Sequence, residues 1–83
     1  MVYEIIFHKE ARKAFSKLDR SVKNKVSKVI NKLEINPFIG KALVGNLSGL
    51  WRLRVDNFRI IYQIEKGKLV VYVLDIGARK NIY

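Results

Sequence analysis

Three arginines lie among apolar residues in the stretch WRLRVDNFRIIY, residues 51–62, on either side of an Asp-Asn dipeptide. This dipeptide can form the two-residue turn of a β-hairpin, and such a turn pairs Arg54 with Arg59 across two antiparallel strands. Because side chains alternate along a strand, Arg52 then shares the same face of the sheet. Like charges that face each other destabilise a sheet, so the stability of the hairpin does not explain the three arginines.

A bound phosphate group would explain the three arginines. Guanidinium groups bind phosphate oxygens through two parallel hydrogen bonds and stay charged at any cellular pH. The sequence therefore predicts an anion site on this face of the sheet. Two alternatives stay open at this point. The three side chains could fan apart into water while their stems cover the sheet, or a shift of the strand register could separate them.

The whole chain is strongly basic, with 17 Lys and Arg residues against 7 Asp and Glu residues and a net charge of +10. This much charge repels itself in a domain of 83 residues unless a polyanion relieves it, so nucleic acid is the expected partner. The alternative is a lysine-rich surface that serves solubility alone, as in some proteins from hot or saline habitats.

Several catalytic classes find no support in the residue types. The chain has no cysteine, and its one histidine, His8, cannot form a catalytic pair and fits a capping or surface position better. The carboxylates are too scattered for a metal site, and no glycine-rich stretch ends in the Gly-Lys-Ser/Thr of a phosphate-binding loop. We therefore expect no metal and no cofactor.

RNA cleavage by the strand's own 2′-hydroxyl group remains compatible with this residue set. Arginines could hold the scissile phosphate and stabilise the charge that develops on it. Tyr83 could accept a proton if neighbouring cations stabilised its anion, whereas an arginine stabilises a leaving oxygen but donates protons poorly.

The elements that must position these residues follow from the periodicity of apolar residues and from the turn residues. Asp19 can cap the second of two helices, and Asn36-Pro37 ends it. Segment 37–49 is glycine-punctuated and is predicted to be a loop. The predicted elements are a strand at 2–7, helices at 8–18 and 20–35, and strands at 50–55, 58–65 and 68–75, the last two joined by a two-residue turn at Lys66-Gly67.

The order β-α-α-β-β-β predicts a single α+β domain, residues 1–83, with a mainly antiparallel twisted sheet packed on two N-terminal helices. Alternation assigns one face of the sheet to the core and the other to the arginines. The predicted core face carries Trp51, Leu53, Val55, Phe58, Ile60, Tyr62, Leu69, Val71 and Val73. The arginine face would also carry Val70, Tyr72 and Leu74, an apolar group that the chain's own tail or another protein should cover.

The tail after the last predicted strand adds Arg79, Lys80 and Tyr83. Gly77 could allow a bend that brings these residues back to the arginine face. The N-terminal stretch lacks the features of a signal peptide, and no run of apolar residues is long enough to span a membrane. We expect a soluble cytoplasmic protein.

Three motifs in this order resemble the RelE/ParE superfamily of toxins from toxin-antitoxin pairs. They are LSGLWRLRV, FRIIY and VLDIGARKNIY, and the likeness covers nearly the whole chain. The resemblance implies a RelE-like, microbial RNase-type fold. For the RelE-like branch it also implies a metal-independent mRNA interferase, an endoribonuclease that enters the ribosomal A site, cuts the messenger by 2′-hydroxyl attack and inhibits translation.

On this resemblance Arg59 stands where the family has an arginine that contacts the scissile phosphate, and Arg79 where it has one near the leaving group. Tyr83 corresponds to the tyrosine that stacks on a base and can act as the general base. Arg52 and Arg54 stand where other members carry lysines, which favours charge stabilisation rather than proton donation for Arg54. Lys41 and Lys80 are expected to bind substrate.

Two other functions stay open: a ParE-like toxin that poisons DNA gyrase, and a non-catalytic module that binds RNA or the ribosome. The resemblance implies an antitoxin partner, RelB-like and helical, which wraps the toxin. The positive charge predicts that this partner is acidic. The antitoxin is expected to bind at Val70, Tyr72 and Leu74.

Overall fold

The computed structural model describes residues 2–78, which form a five-stranded sheet with two helices packed on one face. In chain order the elements are β1 Glu4–Phe7, α1 Lys9–Ser16, α2 Arg20–Ile35, β2 Lys41–Ala42, β3 Trp51–Val55, β4 Phe58–Glu65 and β5 Val70–Ala78. The strands lie in the order β1-β5-β4-β3-β2, with β1 parallel to β5 and the other neighbours antiparallel. The predicted α+β architecture is confirmed, with one strand more than expected.

The longer helix, α2, has the predicted bounds because its apolar residues recur every three or four positions and face the sheet. Val26, Ile30 and Leu33 on this stripe are buried. Asp19 occupies the N-cap position as predicted, but its side chain makes no capping hydrogen bond. The first helix, α1, is shorter than predicted, since the chain leaves it through hydrogen bonds from the amides of Lys17 and Leu18 to residues three positions earlier.

The core lies between the helices and the face of the sheet that the alternation predicted. Tyr62, Ile60 and Val71 are fully buried there, and each such side chain contributes roughly 1.5–3 kcal/mol through burial. The buried cluster consists of Ala11, Val26, Ile30, Leu33, Val55, Ile60, Tyr62, Val71, Val73 and Ile76. No helix within residues 2–78 is long and apolar enough to cross a membrane.

The β3–β4 hairpin has the predicted two-residue turn. Asp56 adopts a positive φ of 56°, which such a turn requires, and Val55 pairs with Phe58 across it. The Asp56 carboxylate accepts a 2.7 Å hydrogen bond from Lys25 Nζ on α2, in an ion pair exposed to water. This contact ties the tip of the hairpin to the helical layer.

The connection between β4 and β5 differs from the prediction. Residues 66–68 form a 3-10 turn and Leu69 takes a left-handed conformation, so four residues separate the strands instead of two. The Leu69 carbonyl accepts a hydrogen bond from the Glu4 amide, and β5 therefore begins at Val70, beside β1. Leu69 thus lies in this turn, and its predicted place on the core face of a strand is wrong.

A β-bulge in β5 changes the register in the second half of the strand. Tyr62 pairs with Val73, but Ile61 pairs with Asp75, so Leu74 is an extra residue without a partner of its own. Without the bulge, Asp75 would face Ile60 in the core, where a carboxylate is costly. The strand also continues through Gly77 to Ala78, so the predicted end at residue 75 and the predicted bend at Gly77 are wrong.

Candidate functional site

The three arginines share the face of the sheet that lies away from the helices. Arg54 pairs directly with Arg59, and Arg52 pairs with Ile61, as the two-residue turn predicted. The register has therefore not shifted, and that alternative is excluded. The three residues come together because β3 and β4 are adjacent and because residues two apart on a strand point the same way.

The three arginines differ in exposure. Arg54 is exposed and Arg52 is half-buried, whereas Arg59 is only 6% exposed. Arg59 is thus almost covered within this face, and its cross-strand partner Arg54 lies exposed beside it. The alternative in which all three side chains fan into water does not describe Arg59.

A fourth cation, Lys41, joins this face through the short strand β2. The predicted loop 37–49 contains this strand, in which Lys41 pairs with Arg52 and Ala42 with Trp51. Lys41 therefore lies on the arginine face, and its side chain is exposed. We call the four residues Lys41, Arg52, Arg54 and Arg59 the basic cluster.

Within residues 2–78, the strand positions on the rest of this face are not basic. Farther from the basic cluster, Tyr72 on β5 pairs with Ile6 on β1 and with Gln63 on β4. At the far end, Glu4 and Glu65 both pair with Val70. The face thus has a positive half on β2, β3 and the start of β4, and an apolar and acidic half on β1, β5 and the end of β4.

Asp75 also points to this face because of the β-bulge. It pairs with Ile61, which in turn pairs with Arg52, so a half-buried carboxylate lies in the same row of the sheet as Arg52 and Lys41. Its oxygen Oδ1 accepts a 2.9 Å hydrogen bond from the Ile76 amide. Sequence reasoning missed this placement, since a strand without a bulge would turn Asp75 to the other side.

The segment that leads into β2 is held by the buried side chain of Tyr62. The Tyr62 hydroxyl donates a 2.8 Å hydrogen bond to the Pro37 carbonyl and accepts a 3.1 Å hydrogen bond from the Gly40 amide. Burial raises the pKa of this hydroxyl to about 12, against a smaller opposing effect of the bond from Gly40. The Tyr62 ring also stacks on Trp51, which Phe38 contacts edge-on.

The three apolar residues predicted to bind a partner are placed differently from one another. Val70 and Tyr72 lie on the arginine face as predicted, but Val70 is buried and offers little surface. Leu74 is half-buried at the bulge, and Tyr72 is half-buried beside Ile6, which is 37% exposed. The accessible apolar residues that strand pairing assigns to this face are therefore Tyr72 and Ile6, with Leu74 next to them at the bulge.

Three predicted site residues, Arg79, Lys80 and Tyr83, lie outside the described residues. His8 is exposed at the start of α1 and makes no side-chain capping hydrogen bond there. Residues 2–78 contain no group of three or more His, Asp or Glu side chains that could hold a metal ion. The chemistry that the described part of the site offers is therefore the binding of an anion by clustered guanidinium and ammonium groups.

A groove of about 560 Å³ lies on the helical side of the sheet, beside the edge strand β1. Its lining is mainly apolar and includes Phe7, Phe15 and Ile30, with Arg12 as its one cation among the described residues. This groove lacks the charge that would bind a polyanion, so the basic cluster is the better candidate for a nucleic-acid site.

Comparison with known proteins gives a consistent family assignment. Residues 5–83 match the family described as the ParE toxin of type II toxin-antitoxin systems, parDE. The chain is 27% identical to the mRNA interferase toxin RelE of Escherichia coli K12, over 98% of this chain and 87% of that protein.

Solved toxin-antitoxin complexes have the same fold. The RelBE2 complex of Mycobacterium tuberculosis matches with a TM-score of 0.87 and 26% identity, over 95% of this chain and all of that one. The archaeal RelE-RelB complex of Pyrococcus horikoshii matches with a TM-score of 0.80 and 25% identity, over 99% of this chain and all of that one.

Proposed function

The chain belongs to the ParE toxin family of type II toxin-antitoxin systems, and we propose that it is a ribosome-dependent endoribonuclease that cleaves messenger RNA in the A site. The observation that carries this proposal is the direct pairing of Arg54 with Arg59, flanked by Arg52 and Lys41. Guanidinium groups gathered on one face of the sheet can bind the phosphates of an RNA backbone through paired, charge-assisted hydrogen bonds.

In the proposed reaction the 2′-oxygen of one nucleotide attacks the adjacent phosphorus atom, and the bond from phosphorus to the 5′-oxygen of the next nucleotide breaks. The products are a 2′,3′-cyclic phosphate and a free 5′-hydroxyl group. Arg59 contacts the scissile phosphate, while Arg52 and Arg54 stabilise the negative charge that grows on its oxygens. No metal or cofactor takes part.

The proton transfers and the remaining contacts are assigned by the resemblance to RelE-like toxins. Tyr83 stacks on a base and, as its phenolate, accepts the 2′-hydroxyl proton. Arg79 stabilises the leaving 5′-oxygen, which takes up a proton from water. Lys80 and Lys41 contact the RNA backbone. Lys41 is supported by its place opposite Arg52, within the basic cluster.

The proposed partner is an acidic, helical antitoxin encoded beside the toxin. Solved complexes of similar toxins contain RelB chains, which supports an antitoxin partner for this chain as well. We propose that the antitoxin covers Tyr72, Leu74 and Val70 on the apolar half of the face. An acidic antitoxin would also neutralise the basic cluster and so exclude RNA.

Poisoning of DNA gyrase is the second candidate, because the matched family is named for ParE toxins. The RelE-like function has more support, since the mRNA interferase RelE is a relative over nearly the whole chain and the basic cluster suits a single-stranded phosphate backbone. A bare RNA-binding module would use the same cluster without cutting.

The deciding experiment is primer extension on a defined messenger incubated with the purified protein, with and without programmed ribosomes. We expect discrete cuts within the A-site codon only when ribosomes are present, and their loss in Arg54→Ala and Arg59→Ala. Lys28→Ala, which removes an exposed charge from the middle of α2, is the matched control and should cut normally. An absence of cuts by folded wild-type protein, together with inhibition of gyrase supercoiling, would replace this proposal with the second candidate.

A further inference from the structure

We propose that Tyr62 and Gly40 act together as positioning residues that hold Lys41 opposite Arg52 and so complete the basic cluster for an RNA backbone. This inference rests on the proposed function, because it gives Lys41 a phosphate contact. Tyr62 cannot contact the substrate, since it is fully buried on the core face and reaches the loop only through its hydroxyl group. Gly40 has no side chain to bind RNA, and its amide already donates to the Tyr62 hydroxyl. Their effect on RNA passes through the backbone of β2.

The Tyr62 hydroxyl bonds to the chain on both sides of the turn that precedes Lys41. It donates to the Pro37 carbonyl and accepts from the Gly40 amide, so one buried group holds two backbone sites that are three residues apart. Pro37 is itself buried, and the Asn36 side chain accepts a hydrogen bond from the Phe38 amide in the same turn. The residue directly after this turn is Lys41.

Gly40 allows this arrangement because it has no side chain. A Cβ atom at this position would overlap the Tyr62 hydroxyl and would lie 2.7 Å from the Arg52 carbonyl oxygen. The φ of Gly40 is −83°, which other residues adopt readily, so the glycine is required by close approach and not by backbone conformation. The same glycine thus touches both the hydroxyl that holds the turn and the backbone of Lys41's partner.

The strand β2 needs such support because it has only two residues. It pairs with β3 at Lys41 and Ala42, and the Leu43 amide donates one further hydrogen bond to the Leu50 carbonyl. So short a pairing is marginal by itself. Because Lys41 is exposed, its side chain adds little that would fix the strand. The Tyr62 hydroxyl therefore decides how firmly the fourth cation stays beside Arg52.

A double-mutant cycle tests this inference through binding of a short single-stranded oligouridylate, measured by fluorescence anisotropy. Tyr62→Phe keeps the ring and removes the hydroxyl. We expect Tyr62→Phe and Lys41→Ala to weaken binding by similar factors, and the double variant to be no weaker than Lys41→Ala alone. Tyr62→Phe combined with Arg54→Ala should instead multiply the two losses. Losses that multiply for Tyr62 and Lys41 as well would overturn the inference.

Hydrogen exchange gives a readout that does not depend on RNA. In Tyr62→Phe the Leu43 amide should exchange faster while amides in the middle of α2 keep their protection, because β2 opens locally. Equal acceleration at both places would mean general destabilisation and would contradict a positioning role. Gly40→Ala should weaken RNA binding, whereas Gly67→Ala, with open space around its Cβ position, should not.

The two proposals fail in different ways. A wild-type protein that binds oligouridylate but does not cut messenger would refute the proposed cleavage and leave the cycle to decide the positioning. A wild-type protein that binds no RNA would refute the phosphate contact of Lys41 and with it this inference. Intact coupling together with cutting would support both.

Discussion

Arg54 and Arg59 are direct cross-strand partners on the face of the sheet away from the helices, although their like charges disfavour that pairing. Arg54 is exposed to solvent, whereas Arg59 is nearly buried. Their separate contributions to stability and to RNA binding can be measured.

Arg54→Gln is expected to stabilise the fold and to weaken RNA binding. Loss of the repulsion from Arg59 should raise the free energy of unfolding by about 0.2–1 kcal/mol, the usual size of cross-strand effects. Urea unfolding and oligouridylate binding, measured on the same samples, test the two effects. Lys28→Gln is the control and should change neither quantity appreciably. A destabilised Arg54→Gln protein would show that the pair is not repulsive in the folded state.

Arg59→Ala is expected to abolish toxicity while the protein remains folded, because Arg59 lies off the core face. Since its side chain is nearly buried, we also expect a loss of stability of about 1 kcal/mol. Arg59→Lys keeps the charge without the planar fork, and should restore stability more than toxicity. Induced growth inhibition and thermal melting followed by circular dichroism are the measurements. An unfolded Arg59→Ala protein would show that Arg59 is a structural residue first.

The wild-type protein should lose stability at high pH as the Tyr62 hydroxyl ionises, and Tyr62→Phe should lack this loss because it has no hydroxyl group. The pKa of Tyr62 is raised from 10.0 to about 12, so the unfolded chain loses its proton first as the pH rises. The contribution of this shift is present below pH 10 and is lost between about pH 10 and 12.

The difference in unfolding free energy between the wild type and Tyr62→Phe should therefore narrow over this range. A shift of two units in the Tyr62 pKa corresponds to roughly 2–3 kcal/mol in the free energy of unfolding, which is the expected size of the narrowing. Below pH 10 the variant should be less stable by about 1–3 kcal/mol, because the Pro37 carbonyl and the Gly40 amide lose a buried partner. Urea titrations at several pH values test this, and a difference that stays constant through the range would contradict it.

Tyr72→Asp should prevent antitoxin binding and leave ribosome-dependent cleavage intact. A carboxylate at this half-buried position would repel an acidic partner and would be costly to bury beneath an apolar one. Co-purification and calorimetry with the antitoxin from the neighbouring gene are the measurements. Val44→Asp changes an 84% exposed apolar residue elsewhere and should bind the antitoxin normally. Normal antitoxin binding by Tyr72→Asp would show that the antitoxin binds a different surface of the toxin.

Local sequence was sufficient to predict the elements that carry the strongest periodicity. The bounds of α2 and the register of the β3–β4 hairpin were both predicted, because helical spacing and a two-residue turn are encoded by neighbouring residues. That register alone places Arg52, Arg54 and Arg59 on one face. The clustering of the arginines on the sheet therefore follows from the amino-acid sequence itself.

Contacts between distant segments decided the rest. The strand β2 exists because Tyr62 and β3 hold residues 37–42, and a two-residue strand has no periodicity to read. The bulge in β5 depends on keeping the Asp75 carboxylate out of the core, and the start of β5 depends on β1, more than sixty residues earlier in the chain. The burial of Arg59 depends likewise on how the sheet assembles. Alternation assigns a residue to a face, but only the packed structure determines its neighbours and its exposure.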